Sequence, residues 1–141
     1  MILEWSDEYS LSNNIIDAQH KKLFKLVNTL SQLNERQVTF TNFKKTLNYL
    51  VQYALQHFKD EEILQRLYDY PQYAEHKKVH DDFTATAGIL SKITEKEFSP
   101  EKFISLKGTL YNWLKQHVAV DDKKIGDYIR GKVPDIGKLT S

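Results

Sequence analysis

The chain has no cysteine, and only three prolines and five glycines in 141 residues. Without cysteine, a disulfide framework and thiolate metal sites are excluded, so any bound metal must be held by His, Asp or Glu. The few Gly and Pro fall in the second half of the chain, which leaves long uninterrupted segments and favours long helices. No apolar run approaches the roughly 20 residues that a membrane span requires. The opening MILEWSDEYS has neither the basic n-region nor the apolar h-region of a secretory signal. No basic run stands out either: 20 Lys and Arg face 19 Asp and Glu, a net charge of +1 with the signs interleaved. We therefore expect a cytoplasmic protein with no membrane insertion and no nucleic-acid partner.

What is present is helical periodicity. Apolar residues recur three and four apart in four segments: Ile16 to Leu30, Phe43 to Tyr68, Tyr73 to Leu90 and Phe103 to Val120. Pro71 is placed where the first turn of the third helix tolerates it. Ser99, Pro100 and Glu101 read as N-cap, first helical position and first-turn acid of the fourth. Short connections between long helices imply antiparallel neighbours. The expected fold is all-α: an up-down-up-down four-helix bundle over about residues 14–120, with an N-terminal arm over 1–13. A tail over 121–141 should carry one short helix around Ile125 to Ile129, the whole forming a single domain, 1–141.

All five histidines, His20, His57, His76, His80 and His117, lie on the inward stripes of these helices. With alternating helix directions, the start of the first, end of the second, start of the third and end of the fourth share one end of the bundle. The five imidazoles and Glu61 should therefore meet in one interior layer. His57 and Glu61, like His76 and His80, are four residues apart and project from one helix face. After His117, Asp121 keeps that spacing. Asp122 lies five residues on, about 140° round an ideal helix, and reaches the layer only if the helix widens or ends there. Left without a metal, such a layer buries polar groups at about 1–3 kcal/mol for each unsatisfied one.

Five imidazoles exceed what one tetrahedral zinc uses, and each carboxylate has two oxygens with which to bridge. Two bridging carboxylates, five histidines and one bridging solvent-derived oxygen would fill a pair of octahedra except for one position, open to a small diatomic ligand. The nitrogen and oxygen donors suit iron, and manganese and zinc share these preferences.

The segments IDAQHKKLF around His20, HFKDEE from His57, HKKVH from His76 and HVAVDD from His117 together resemble the hemerythrin family, specifically its single-domain bacterial members. The resemblance extends from the Trp5 arm to the tail near Tyr128. It implies reversible dioxygen binding at a non-haem di-iron centre, two iron ions (Fe2+/Fe3+) with an oxo or hydroxo bridge. It further implies His76, His80 and His117 on one iron, His20 and His57 on the other, which keeps the open position, and Glu61 and Asp122 as bridges. It thus favours Asp122 over Asp121, against bare periodicity. Leu23, Phe58, Trp113, Leu114 and Val118 would line the oxygen pocket, or equally be ordinary core.

The remaining neighbours read as follows. Glu62, Asp60, Asp81 and Asp82 fall off the inward stripe and are expected on the solvated face, as are the Lys21–Lys22 and Lys77–Lys78 pairs. Asp17, three residues before His20, reads chiefly as surface charge, with a hydrogen bond to the His20 ring as the lesser alternative. Oxygen storage, transport or delivery to an oxygen-using enzyme, without catalysis, is the leading functional expectation. The alternatives are an oxygen or redox sensor acting through a separate signalling partner, and a di-iron enzyme consuming peroxide or nitric oxide.

Overall fold

A computed structural model describes residues 3–34 and 36–132, and among these there is no strand. A short 3-10 turn, Asp7–Tyr9, sits in the N-terminal arm. The helices are α1 (Asn14–Gln32), α2 (Phe40–Leu67), α3 (Tyr73–Ser91), α4 (Pro100–Gln116) and α5 (Lys123–Lys132). Between α4 and α5 the backbone stays helical but widens into a π-helical stretch, His117–Asp122. The C-terminal segment thus continues the fourth helix rather than leaving it. The tail expected after Lys132 lies outside the described residues.

Local chemistry sets the boundaries. The side chain of Asn13 accepts from Ile16 N, Thr39 from Asn42 N and Ser99 from Lys102 N, each satisfying an orphan amide of a first turn. Pro100 opens α4 as expected. Pro71 does not open α3: it precedes the N-cap Gln72, inside a turn closed by Tyr73 N donating to Tyr70 O. α2 stops where Asp69 enters the left-handed region at φ 51°, a conformation that Asp tolerates better than most residues.

The inward stripes are buried along most of their length; Tyr68, Tyr73, Leu90 and Trp113 are half-buried, and one position is exposed. Val120, three residues past His117, is 41 % exposed, because the widened turn carries it off the stripe. The buried apolar residues form two clusters. The larger includes Leu23, Leu47, Ala54, Phe58, Phe103, Leu114 and Val118. The smaller contains Leu11, Ile16, Leu64, Tyr70, Ile125 and Ile129. Along α1, His20 stands between Ile16 and Leu23. Along α2, His57 and Glu61 stand between Ala54 and Leu64, and in the C-terminal helix His117 and Asp122 stand between Leu114 and Ile125. The polar layer is therefore sealed on both sides by hydrocarbon.

The arm closes that end. Leu11 is fully buried, worth about 1.5–3 kcal/mol by area removed from water. Leu3 exchanges two hydrogen bonds of 2.8 Å with the Asn28 side chain. Ser10 Oγ and Leu11 N donate to the Asp17 carboxylate at 2.5 and 2.9 Å. Asp17 therefore fastens the arm instead of the His20 ring: the arm's donors reach its carboxylate first.

Candidate metal centre

His20, His57, Glu61, His76, His80, His117 and Asp122 converge in one layer and are at most 5 % exposed. Their donor atoms form two overlapping groups, His20, His57, Glu61, His117 and Asp122 on one side and Glu61, His76, His80, His117 and Asp122 on the other. The carboxylates divide between the two. Glu61 Oε2 lies 3.1 Å from His20 Nε2 and 3.2 Å from His57 Nε2. Its Oε1 lies 3.1 Å from His80 Nε2 and 3.3 Å from His76 Nε2. Asp122 Oδ2 is 2.8 Å from His20 Nε2, while Oδ1 is 2.6 Å from His76 Nε2. The His117 ring centroid is nearer to those of His80 and His76 (5.0 and 5.4 Å) than to those of His57 and His20 (6.0 and 6.3 Å).

Three features fit this donor set to a cation. His20 Nε2 and His57 Nε2 face each other at 3.0 Å, so two ring nitrogens aim at the same space. His117 Nε2 and Asp122 Oδ2 are 2.9 Å apart, yet neither has an aligned hydrogen-bond partner: the spacing suits a bond, but the lone pairs point elsewhere. Gln65 is fully buried with its Oε1 unpartnered, while its Nε2 stands 3.0 Å from His76 Nδ1. A ligating Nε2 forces the proton onto Nδ1, and a half-turn of the amide then gives that N–H the idle oxygen.

Electrostatics show the same need. Burial disfavours the charged forms of Glu61 and Asp122, yet the surrounding histidines hold both carboxyls below their ordinary range. Burial also works against charge on His20, but hydrogen bonds and charge from Asp122 and Glu61 outweigh it and raise its pKa to about 10. His76 is raised in the same way, chiefly by Asp122 against burial, whereas burial lowers His57. In the absence of a metal, protons supply the positive charge that two buried carboxylates require.

The outer partners differ from expectation. Glu62, expected on the solvated face, lies 3.0 Å from His80 Nδ1 with its side chain 19 % exposed. Gln19 Oε1 is 2.9 Å from His57 Nδ1, and Gln19 Nε2 donates to Asp60 at 2.7 Å. Asp60 is thus also engaged. Residue spacing carries no sign of Gln19 or Glu62 as outer partners. A buried glutamine one helical turn past Glu61 is a signal that the stripe alone does contain. By contrast, Asp81 is exposed and pairs with Lys77, as a surface residue should.

Aromatic faces cover the layer. Phe58 stacks on His80 with centroids 4.0 Å apart and an 11° interplanar angle, and Trp113 stacks on His117 at 4.7 Å and 12°. Leu23, Leu114 and Val118 are buried in the same apolar cluster as Phe58, with Trp113 packed against it. Phe58 and Trp113 thus lay aromatic carbon directly on two of the imidazoles, and carbon there excludes water and strengthens the charge interactions inside.

Residues 11–129 match the family model of the hemerythrin HHE cation-binding domain. A bacteriohemerythrin of Campylobacter jejuni is 32 % identical over 128 residues, 87 % of this chain and 92 % of that protein. A bacteriohemerythrin of Clostridium acetobutylicum is 28 % identical, covering 87 % and 98 %. The solved structure of a wild-type hemerythrin superposes with a TM-score of 0.69 over 90 % of this chain and 97 % of that one, at 24 % identity.

Proposed function

Because the chain belongs to the hemerythrin family, we propose that it binds dioxygen reversibly at a pair of iron ions, as a single domain serving storage, transport or delivery. The observation that carries this reading is the split of each buried carboxylate, one oxygen toward His20 and the other toward His76. A single ion would not call for both oxygens of both carboxylates; two neighbouring ions would.

Glu61 and Asp122 would be shared by the two irons. His76, His80 and His117 would hold one and His20 and His57 the other, so the side with two imidazoles would be the one with room for dioxygen. When bound, the ferrous pair supplies two electrons to dioxygen and recovers them on release. The protein keeps this exchange reversible by what it withholds. Among the described residues, every titratable side chain within hydrogen-bonding distance of the five Nε2 atoms belongs to the donor set. No separate acid stands inside to feed protons to a reduction, which supports a binder over a peroxide- or nitric-oxide-consuming enzyme. Leu23, Phe58, Trp113, Leu114 and Val118 form the pocket wall and keep water from the site.

Anaerobic reconstitution with ferrous iron, then alternating oxygen and argon, tests this. Two irons per chain and a visible charge-transfer band that rises and falls with the gas are expected. One iron per chain, or a single irreversible oxidation, overturns the reading.

A further inference from the structure

The five imidazoles are not held alike. His57 Nδ1 faces the neutral amide oxygen of Gln19, and His76 Nδ1 faces the neutral amide of Gln65. His20 Nδ1 and His117 Nδ1 are buried without a partner. Only His80 presents its Nδ1 to a carboxylate, Glu62 Oε2 at 3.0 Å. The sequence shows how this arises. Glu61 points into the layer, and the next residue on α2 lies about 100° round the helix, at the seam with α3 where His80 stands. One face of the His80 ring is covered by stacked Phe58, so both the ring's tilt and its local dryness are fixed.

A carboxylate that accepts the Nδ1 proton shifts electron density through the ring to Nε2 and makes it a stronger donor. A neutral amide does so less, and an unpartnered Nδ1–H not at all. In a dry site that difference is little screened.

We propose that Glu62 is a positioning residue that makes His80 the strongest imidazole donor of the set. It thereby biases the iron on the His76–His80–His117 side toward its oxidised state. This rests on the di-iron reading above and adds an inequality between the two irons to it. The metal that keeps the open position has no anionic outer partner, while its neighbour does. The electron supply for dioxygen is thus weighted toward the iron that does not bind it.

The test compares the full-length protein with Glu62→Gln, Glu62→Ala and Asp81→Asn, all loaded anaerobically with ferrous iron. Iron content and midpoint potential are measured without oxygen, using redox mediators. Glu62→Gln keeps shape and acceptor but loses the charge: full iron content and a higher midpoint potential are expected. Glu62→Ala should also weaken iron retention against a chelator by about 10–100-fold. Asp81→Asn removes an equal charge beside His80 in sequence without touching its ring, and should move the potential less than Glu62→Gln does. A Glu62→Gln potential equal to the parent's, or an equal shift in Asp81→Asn, overturns the proposal while leaving the di-iron reading intact. Failure of the parent to take up two irons overturns both.

Discussion

Asp122 follows His117 by five residues, yet its Oδ2 lies 2.9 Å from the His117 Nε2. In a regular α-helix the two side chains would diverge by about 140°. The π-helical turn His117–Asp122 closes that angle by giving the turn an extra residue, and such turns recur at functional sites. Asp121, at the regular spacing, is only half-buried and outside both donor groups.

This relationship separates two adjacent aspartates. Asp122→Asn should lower iron content below two per chain and abolish the oxygen-dependent band. Asp121→Asn should leave both unchanged. Metal analysis and visible spectra of the two purified variants make the comparison, and equal effects would contradict the assignment.

Metal loading should release protons. His20, with its pKa raised to about 10, and His76, also raised, must give up protons to coordinate. Apparent iron affinity should therefore rise with pH from the ordinary imidazole range up to about 10. Calorimetric titration in two buffers of different ionisation enthalpy reads the protons directly; a buffer-independent heat would refute this.

The metal-free protein should show the opposite trend in stability. A raised His20 pKa contributes stability in full below its unfolded value of 6.5 and loses it as pH rises through about 10. Glu61 and Asp122, held low, contribute above the ordinary carboxylate range of about 4 and lose it as pH falls below. Urea midpoints of the iron-free protein should thus decline toward both pH 9–10 and pH 3.

Core and site should be separable. Phe103 is fully buried in the larger apolar cluster, and Phe103→Ala should cost about 3–5 kcal/mol while the charge-transfer band of the loaded protein keeps its position. Chemical denaturation and the visible spectrum give the two readings.

The arm can be lifted from the outside. A Cβ on Gly126 would lie 2.7 Å from Ser10 O, the same oxygen that accepts from Arg130. Gly126→Ala should destabilise by about 1–3 kcal/mol, as overpacking does. It should also speed amide exchange at Leu11, whose N–H is otherwise held by Asp17. Unchanged exchange there would show that the arm is not what seals this end.

Several residues are legible from spacing and backbone chemistry alone. The phases of His20, His57, Glu61, His76 and His80 follow from spacings of three and four, and each is buried on its helix as those spacings demand. Ser99 and Pro100 mark the start of α4 by their backbone preferences. Val120 and Asp122 are not legible from periodicity, because a widened turn changes the period on which the stripe depends. The resemblance to a family supplies Asp122 where spacing favours its neighbour. Asp17 and Glu62 both take partners that their spacing does not give. Both sit off the stripe, and there the partner depends on which element lies across the seam: the arm for Asp17, His80 on α3 for Glu62.

By itself the sequence determined four inward stripes, their alternating directions and the single level at which the histidines meet. Those properties depend on spacing within one helix and on short connections between helices. Only the tertiary structure decided which carboxylate oxygen faces which imidazole, which aspartate turns inward and which imidazole rests against an outer anion. Those depend on the offset and rotation of one helix against the next, a quantity that no residue spacing along a single helix encodes.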